Sequence, residues 1–219
     1  IGEPVITYKK PSVKEAKQVT PIPVSDEFNS TELGLQWQWM VNPDPNWCFT
    51  SNYGYLRLNC VKLPEGHQNF WDVPNMLLQK VPAKEFTVTT KLTLHPKLEG
   101  DFSGLIVMGE DYTRLSVCHQ ADSNFVVLNT CKDAPQGKEE IQEAKIGVPY
   151  PIVYLRCQVT AGGVCQFACS GDGATFTNVG KPFTGKAGRW IGAKIGIFAV
   201  KSATTNDSGY ADFDWFRVE

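Results

Sequence analysis

Glu85-Phe86-Thr87-Val88-Thr89-Thr90-Lys91-Leu92-Thr93-Leu94 is the most regular stretch of the chain. Phe86, Val88, Thr90, Leu92 and Leu94 fall on one side of an extended backbone, and Thr87, Thr89, Lys91 and Thr93 on the other. Successive side chains of a pleated strand point to opposite faces, so alternation of this length marks a strand with one buried face. The same period runs through Tyr55 to Cys60 and Ile152 to Thr160. Further strands are expected over residues 77–80, 104–108, 113–118, 125–129, 164–170, 195–200 and 210–218. Turn-forming clusters separate them: Ala161-Gly162-Gly163, Ser170-Gly171-Asp172-Gly173 and Asn206-Asp207-Ser208-Gly209. Only Lys138 to Lys145 has helix-favouring composition; Gly137 and Gly147 bracket it and its apolar stripe is thin. About a dozen strands with almost no helix predict an all-β, two-sheet β-sandwich or jelly roll, because a single open sheet of that size is unusual. No internal repeat is visible, which argues against a propeller.

The 219 residues carry a formal net charge of -2, so no global field draws the chain to nucleic acid or an anionic membrane. No apolar run approaches the ~20 residues of a membrane helix, so no membrane span is expected. The cysteines number seven, an odd count, and no Cys-x-x-Cys pair occurs. Several sit on apolar strand faces, as Cys165 and Cys169 do around Phe167, and read as small buried hydrophobes. Residues 1–24, broken by Pro4, Pro11, Pro21 and Pro23, read as an extended linker. The packed domain is expected over 25–219, opening at Ser25-Asp26-Glu27-Phe28. A start at Ile1 in a proline-bearing stretch reads as a fragment or processed product.

Sandwiches of this size include glycanases, which need two carboxyl groups about 5–9.5 Å apart. Glu-x-Asp-x-Glu, which would align three carboxylates on one strand face, is absent. Glu110-Asp111 and Glu139-Glu140 are adjacent and so point to opposite faces of a strand. Asp212-Phe213-Asp214 has one-face spacing but no third carboxylate beside it. There is no Gly-x-Ser-x-Gly elbow, no His-Glu-x-x-His and no Walker loop. The sequence therefore offers no catalytic residues.

The aromatic residues are more informative. In Leu35-Gln36-Trp37-Gln38-Trp39 the two indoles share one strand face and the two amides the other. Indole faces stack on sugar rings and amides bond sugar hydroxyls, so Trp37, Gln38 and Trp39 are candidate carbohydrate contacts; burial in the core is the competing role. Trp47 lies beside the polar loop Asn42-Pro43-Asp44-Pro45-Asn46, and Trp190 follows Lys186-Ala187-Gly188-Arg189 at a sandwich edge. Both join the candidate set. Trp71 reads as loop and Trp215 as core.

Several segments, in order and similarly spaced, resemble one family. They are Ser25-Asp26-Glu27-Phe28, residues 33–39, Gly54-Tyr55-Leu56-Arg57-Leu58, residues 86–92, Gly188-Arg189-Trp190-Ile191-Gly192-Ala193-Lys194-Ile195-Gly196 and Tyr210-Ala211-Asp212-Phe213-Asp214-Trp215-Phe216. Together they resemble the C-terminal concanavalin A-like module of glycoside hydrolase family 43 β-xylosidases and α-arabinofuranosidases. The resemblance spans essentially the whole chain. It implies that the catalytic carboxylates lie in an upstream propeller domain, beside which the module packs. It also implies a role in walling the substrate pocket, in stability or in binding xylan, with β-1,4-xylan or arabinoxylan oligosaccharides as the ligands. An independent, lectin-like carbohydrate-binding domain is the alternative. The parent is expected to be secreted, periplasmic or cell-associated. The resemblance further implies a structural Ca²⁺ between the first and last strands, held by Asp26 with Asp212 or Asp214. Met40-Val41 departs from the polar Asn and His of relatives after the Gln-Trp-Gln-Trp run.

Overall fold

A computed structural model describes residues 2–9, 21–190 and 192–219. Within the segment read as linker, residues 2–9 and 21–24 are exposed and carry neither strand nor helix. Ile1 and residues 10–20 lie outside the described residues.

The strands are β1 (Gln38–Trp39), β2 (Cys48–Thr50), β3 (Leu56–Asn59), β4 (Val61–Lys62), β5 (Leu77–Lys80), β6 (Phe86–His95), β7 (Asp101–Met108), β8 (Tyr112–Gln120), β9 (Ser123–Cys131), β10 (Ile141–Val148), β11 (Ile152–Thr160), β12 (Val164–Ser170), β13 (Thr177–Thr184), β14 (Lys194–Lys201) and β15 (Tyr210–Val218). One sheet runs β13-β12-β11-β6-β15-β3-β2. The other runs β1-β5-β14-β7-β8-β9-β10, with β4 also paired to β14. The chain passes repeatedly between the sheets, and the expected all-β, two-sheet concanavalin A-like sandwich is the fold.

Alternation dictates what each strand buries. Leu92, Val88 and Phe86 of β6 meet Val153, Cys157 and Val159 of β11 across the ladder, and Leu105 of β7 faces Leu115 of β8. All belong to the core between the sheets. Strand β14 departs from the one-face rule, since all eight of its residues are buried. Ile195, Ile197 and Ala199 point into the sandwich. Phe198 and Val200 point outward, into a second apolar cluster made with Phe70, Val73 and Met76. Residues 63–76 thus form a strap across the outer face of the eight-stranded sheet. Polar staples hold it there: Phe70 N donates to Tyr112 Oη at 2.8 Å and Asn75 Nδ2 to the Ala199 carbonyl at 2.8 Å.

Residues 138–145, helix-like in composition, contribute instead to β10, which pairs antiparallel with β9 at the sheet edge. Pairing with an existing edge overrides weak local preference. Strand β13 was not visible in the sequence because Gly180 and Pro182 interrupt its pattern; both are tolerated on an outermost strand.

All seven cysteines are free, and burial pushes the pKa of the Cys60 thiol far above the usual thiol range. Because the folded value is raised, the associated stability is complete below the unfolded thiol's titration and is lost as pH rises above it. One such thiol contributes up to about 1.4 kcal/mol per pH unit. Unfolding free energy from urea titration is therefore expected to fall more steeply between about pH 9 and 10.5 in the wild-type chain than in Cys60→Ala. Parallel slopes would exclude the effect.

Candidate functional site

The five candidate sugar contacts fall in four different places. Trp37 is 8% exposed and sits in the core, with ring centroids 5.9 Å from Phe28 and 5.0 Å from Phe216. No sugar reaches it. Its Nε1 donates to Asp26 Oδ2 at 2.8 Å, which satisfies the indole's one polar atom. Trp39 and Trp47 are half-buried and meet edge to face at 5.3 Å. Gln38 is exposed and lines a separate cleft of about 250 Å³ with Leu35, Gln79 and Lys80. Trp190 alone stands free, 91% exposed.

Trp190 owes that position to its flanking glycines. Gly188 and Gly192 form an isolated bridge, with Gly188 N donating to the Gly192 carbonyl at 3.1 Å. A Cβ on Gly188 would meet that carbonyl oxygen at 2.8 Å, and Gly192 has φ +72°, which favours glycine. The Gly188–Gly192 bridge therefore closes a hairpin that carries Arg189 and Trp190.

Beneath the hairpin is a cavity of about 540 Å³, lined by Met40, Trp71, Met108, Pro135, Trp190 and Lys194 among others. Trp71 reaches it from the strap. The Asn69 side chain accepts from Trp71 N at 2.8 Å and donates to the carbonyls of Ala134 and Lys138 at 2.9 and 2.8 Å. That clamp turns Phe70 inward and leaves Trp71 38% exposed. The thioethers of Met40 and Met108 complete an apolar wall. Sequence reading missed Trp71, Met108 and Lys194. The signal for Lys194 was present, as it begins the outward-facing series Lys194, Gly196, Phe198 and Val200, but what crosses that face was not legible.

The charged groups around the cavity are unevenly matched. Glu110 pairs with Lys186, and Arg189 Nε lies 3.9 Å from its other oxygen. Hydrogen bonding to Lys186 holds the Glu110 carboxyl below its usual range. Glu27 and Asp172 are also driven more acidic, by Arg217 and by the backbone amide of Thr175 respectively. A general acid needs the opposite displacement. Among the described residues no carboxyl whose acidity the fold displaces is moved in that direction.

The residues expected to hold calcium do not fit that ion. Asp212 is engaged by Arg57 through two bonds of 2.7 and 2.8 Å, and Asp214 pairs with Lys91. Asp26 accepts from Trp37, from Gln36 Nε2 at 3.1 Å and from Phe28 N at 2.9 Å. Calcium requires six to eight converging oxygens, whereas these carboxylates are already occupied by protein donors. Among the described residues no cluster of His, Cys, Asp and Glu could hold a metal. The entering segment at Asp26 is joined to β15 by backbone hydrogen bonds: Asp26 N to the Phe216 carbonyl at 2.7 Å, and Phe216 N to the Asp26 carbonyl at 2.8 Å.

Comparison with known proteins gives a consistent picture. Residues 25–219 match the model of the β-xylosidase C-terminal concanavalin A-like domain. A β-xylosidase of Formosa agariphila is 29% identical over 240 residues, covering 100% of this chain and 38% of that protein. A non-reducing end α-L-arabinofuranosidase of Bacteroides ovatus is 26% identical, covering 89% of this chain and 36% of that protein. The structure of a bifunctional GH43-CE protein of Bacteroides eggerthii superposes with a TM-score of 0.78 at 24% identity, over 89% of this chain and 25% of that one. This chain thus spans well under half the length of these relatives.

Proposed function

The chain belongs to the β-xylosidase C-terminal concanavalin A-like domain family, and we propose that it is a non-catalytic module of a glycoside hydrolase acting on xylan or arabinoxylan oligosaccharides. In this reading an upstream propeller domain cleaves the bond, and the module braces that domain and walls its substrate pocket. The observation that carries it is Trp190, an almost fully exposed indole on a glycine-pinned hairpin over an apolar cavity. An exposed indole continuous with an apolar cavity is the kind of contiguous surface that serves as an interaction site.

The test compares this chain with the polypeptide extended upstream, using aryl β-xyloside and aryl arabinofuranoside. The extended polypeptide should hydrolyse at least one, and this chain neither. In the extended polypeptide, Trp190→Ala should lower kcat/KM about tenfold or more, as expected for an interface tryptophan. Hydrolysis by the 219-residue chain alone would end the proposal. Retardation of the chain in a xylan gel, lost in Trp190→Ala, would favour the lectin-like alternative.

A further inference from the structure

Strand β14 has a lysine at each end, and both are buried. Lys201 is satisfied: its Nζ donates to the carbonyls of Thr205 at 2.8 Å and Asp207 at 2.7 Å. Lys194, 9% exposed, has no hydrogen bond and no carboxylate partner among the described residues. It lines the cavity under Trp190, between methionine and indole side chains. Its cross-strand neighbour is Lys80, a second cation, and like charges placed opposite one another in a ladder destabilise it. Of the other charged side chains lining the cavity, Glu110 is already engaged by Lys186 and Arg189 is a further cation. Burial, and then the Lys80 charge, lower the affinity of Lys194 for its proton. The lysine's stem is buried, while its Nζ is not one of the solvent-excluded polar atoms, so the ammonium opens into the cavity, where an incoming carboxylate can reach it and supply the counter-charge the chain does not.

We propose that Lys194 is the docking anchor of this module, pairing across the cavity with a carboxylate of the catalytic domain of the same polypeptide. The inference rests on the accessory-module reading above. Several features favour a protein partner over a sugar. The walls are thioether and indole, the hairpin pairs an exposed tryptophan with an arginine as protein-binding hot spots do, and the missing element is a full negative charge rather than a hydroxyl. The relatives' additional length provides the source of such a domain. On docking, the carboxylate would neutralise Lys194 while Trp190 and Trp71 exclude water from the pair, as an interface rim does.

The experiment follows the melting of the module by calorimetry, in this chain and in the polypeptide extended upstream. Lys194→Met keeps the length of the side chain and removes its charge. In the chain alone it should raise the midpoint by about 2–4 °C, because the repulsion from the facing Lys80 is lost and the apolar cavity wall is extended. In the extended polypeptide it should lower the module's midpoint, or split one transition into two, because a buried carboxylate on the partner is stranded. Opposite signs support the anchor; shifts of the same sign in both contexts overturn it. Trp190→Ala in the extended polypeptide serves as the control. If it uncouples the domains while Lys194→Met shows no reversal, the lysine assignment falls and the accessory-module reading stands. If neither variant uncouples them, that reading falls too. Stabilisation of the isolated chain by xylotetraose, abolished in Lys194→Met, would assign the ammonium to sugar and overturn the proposal.

Discussion

Glu140→Ala should destabilise the folded chain by about 3–5 kcal/mol, the range found when one partner of a buried ion pair is removed. The Arg114 and Glu140 side chains are only 9% and 17% exposed. Glu140 Oε1 accepts from Arg114 Nε and from Tyr112 Oη, both at 2.8 Å, and Oε2 accepts from Arg114 Nη2 at 2.5 Å. Arg114 Nη1 donates to Ser116 Oγ at 2.6 Å, and the guanidinium carbon lies 4.6 and 4.9 Å from the ring centroids of Phe70 and Phe102. Removing the carboxylate leaves a guanidinium enclosed by aromatic rings without a counter-charge, and a buried phenol without its acceptor. The phenol in turn accepts from the Phe70 amide, so the strap should loosen with it. Urea unfolding measures the loss. The double variant Arg114→Met with Glu140→Leu should recover much of it, because the stranded charge is then gone. A single-variant loss below about 1 kcal/mol would mean that the pair behaves as a surface bridge.

Trp37→Ala is expected to cost about 3–5 kcal/mol, as truncation of a buried tryptophan does. The indole fills the space between Phe28 and Phe216, where the entering chain meets the last strand. Its loss also removes one of the donors to Asp26, the residue whose backbone bonds tie the two together. Trp37→Phe keeps most of the apolar area and should lose about 1.5–3 kcal/mol, the usual contribution of a hydrogen bond to a charged group. Chemical unfolding of both variants separates packing from hydrogen bonding. A midpoint unchanged in Trp37→Ala would contradict the core placement.

These two residues show how far the sequence could be read. Strands β11, β12 and β15 have the boundaries expected from the sequence, since turn clusters follow β11 and β12 and precede β15. The long apolar run of β14 already hinted at burial on both faces, but which segment supplied the second cover depended on the non-local path of residues 63–76. The same limit applies to the candidate site. Trp190 could be singled out from its glycine-flanked setting, whereas Trp71 and Lys194 become its neighbours only when the strap and β14 are brought together. The cations that occupy Asp212 and Asp214 were equally hidden. Arg57 faces Asp212 only through the β3–β15 register. Asp214 sits at an irregularity in the β6–β15 ladder, between Phe213 and Trp215, where simple alternation fails.

The stitching of Ser25 and Asp26 onto β15 has a consequence for how such a unit is built into larger proteins. Ser25 Oγ accepts from Val218 N at 2.9 Å, two residues beyond the Asp26 and Phe216 bridge, so the points of entry and exit lie side by side. A cassette with adjoining ends can be grafted onto a host without stretching or rethreading the host's own backbone. The sandwich is thereby portable, and its attachment need not disturb the hairpin and cavity it presents.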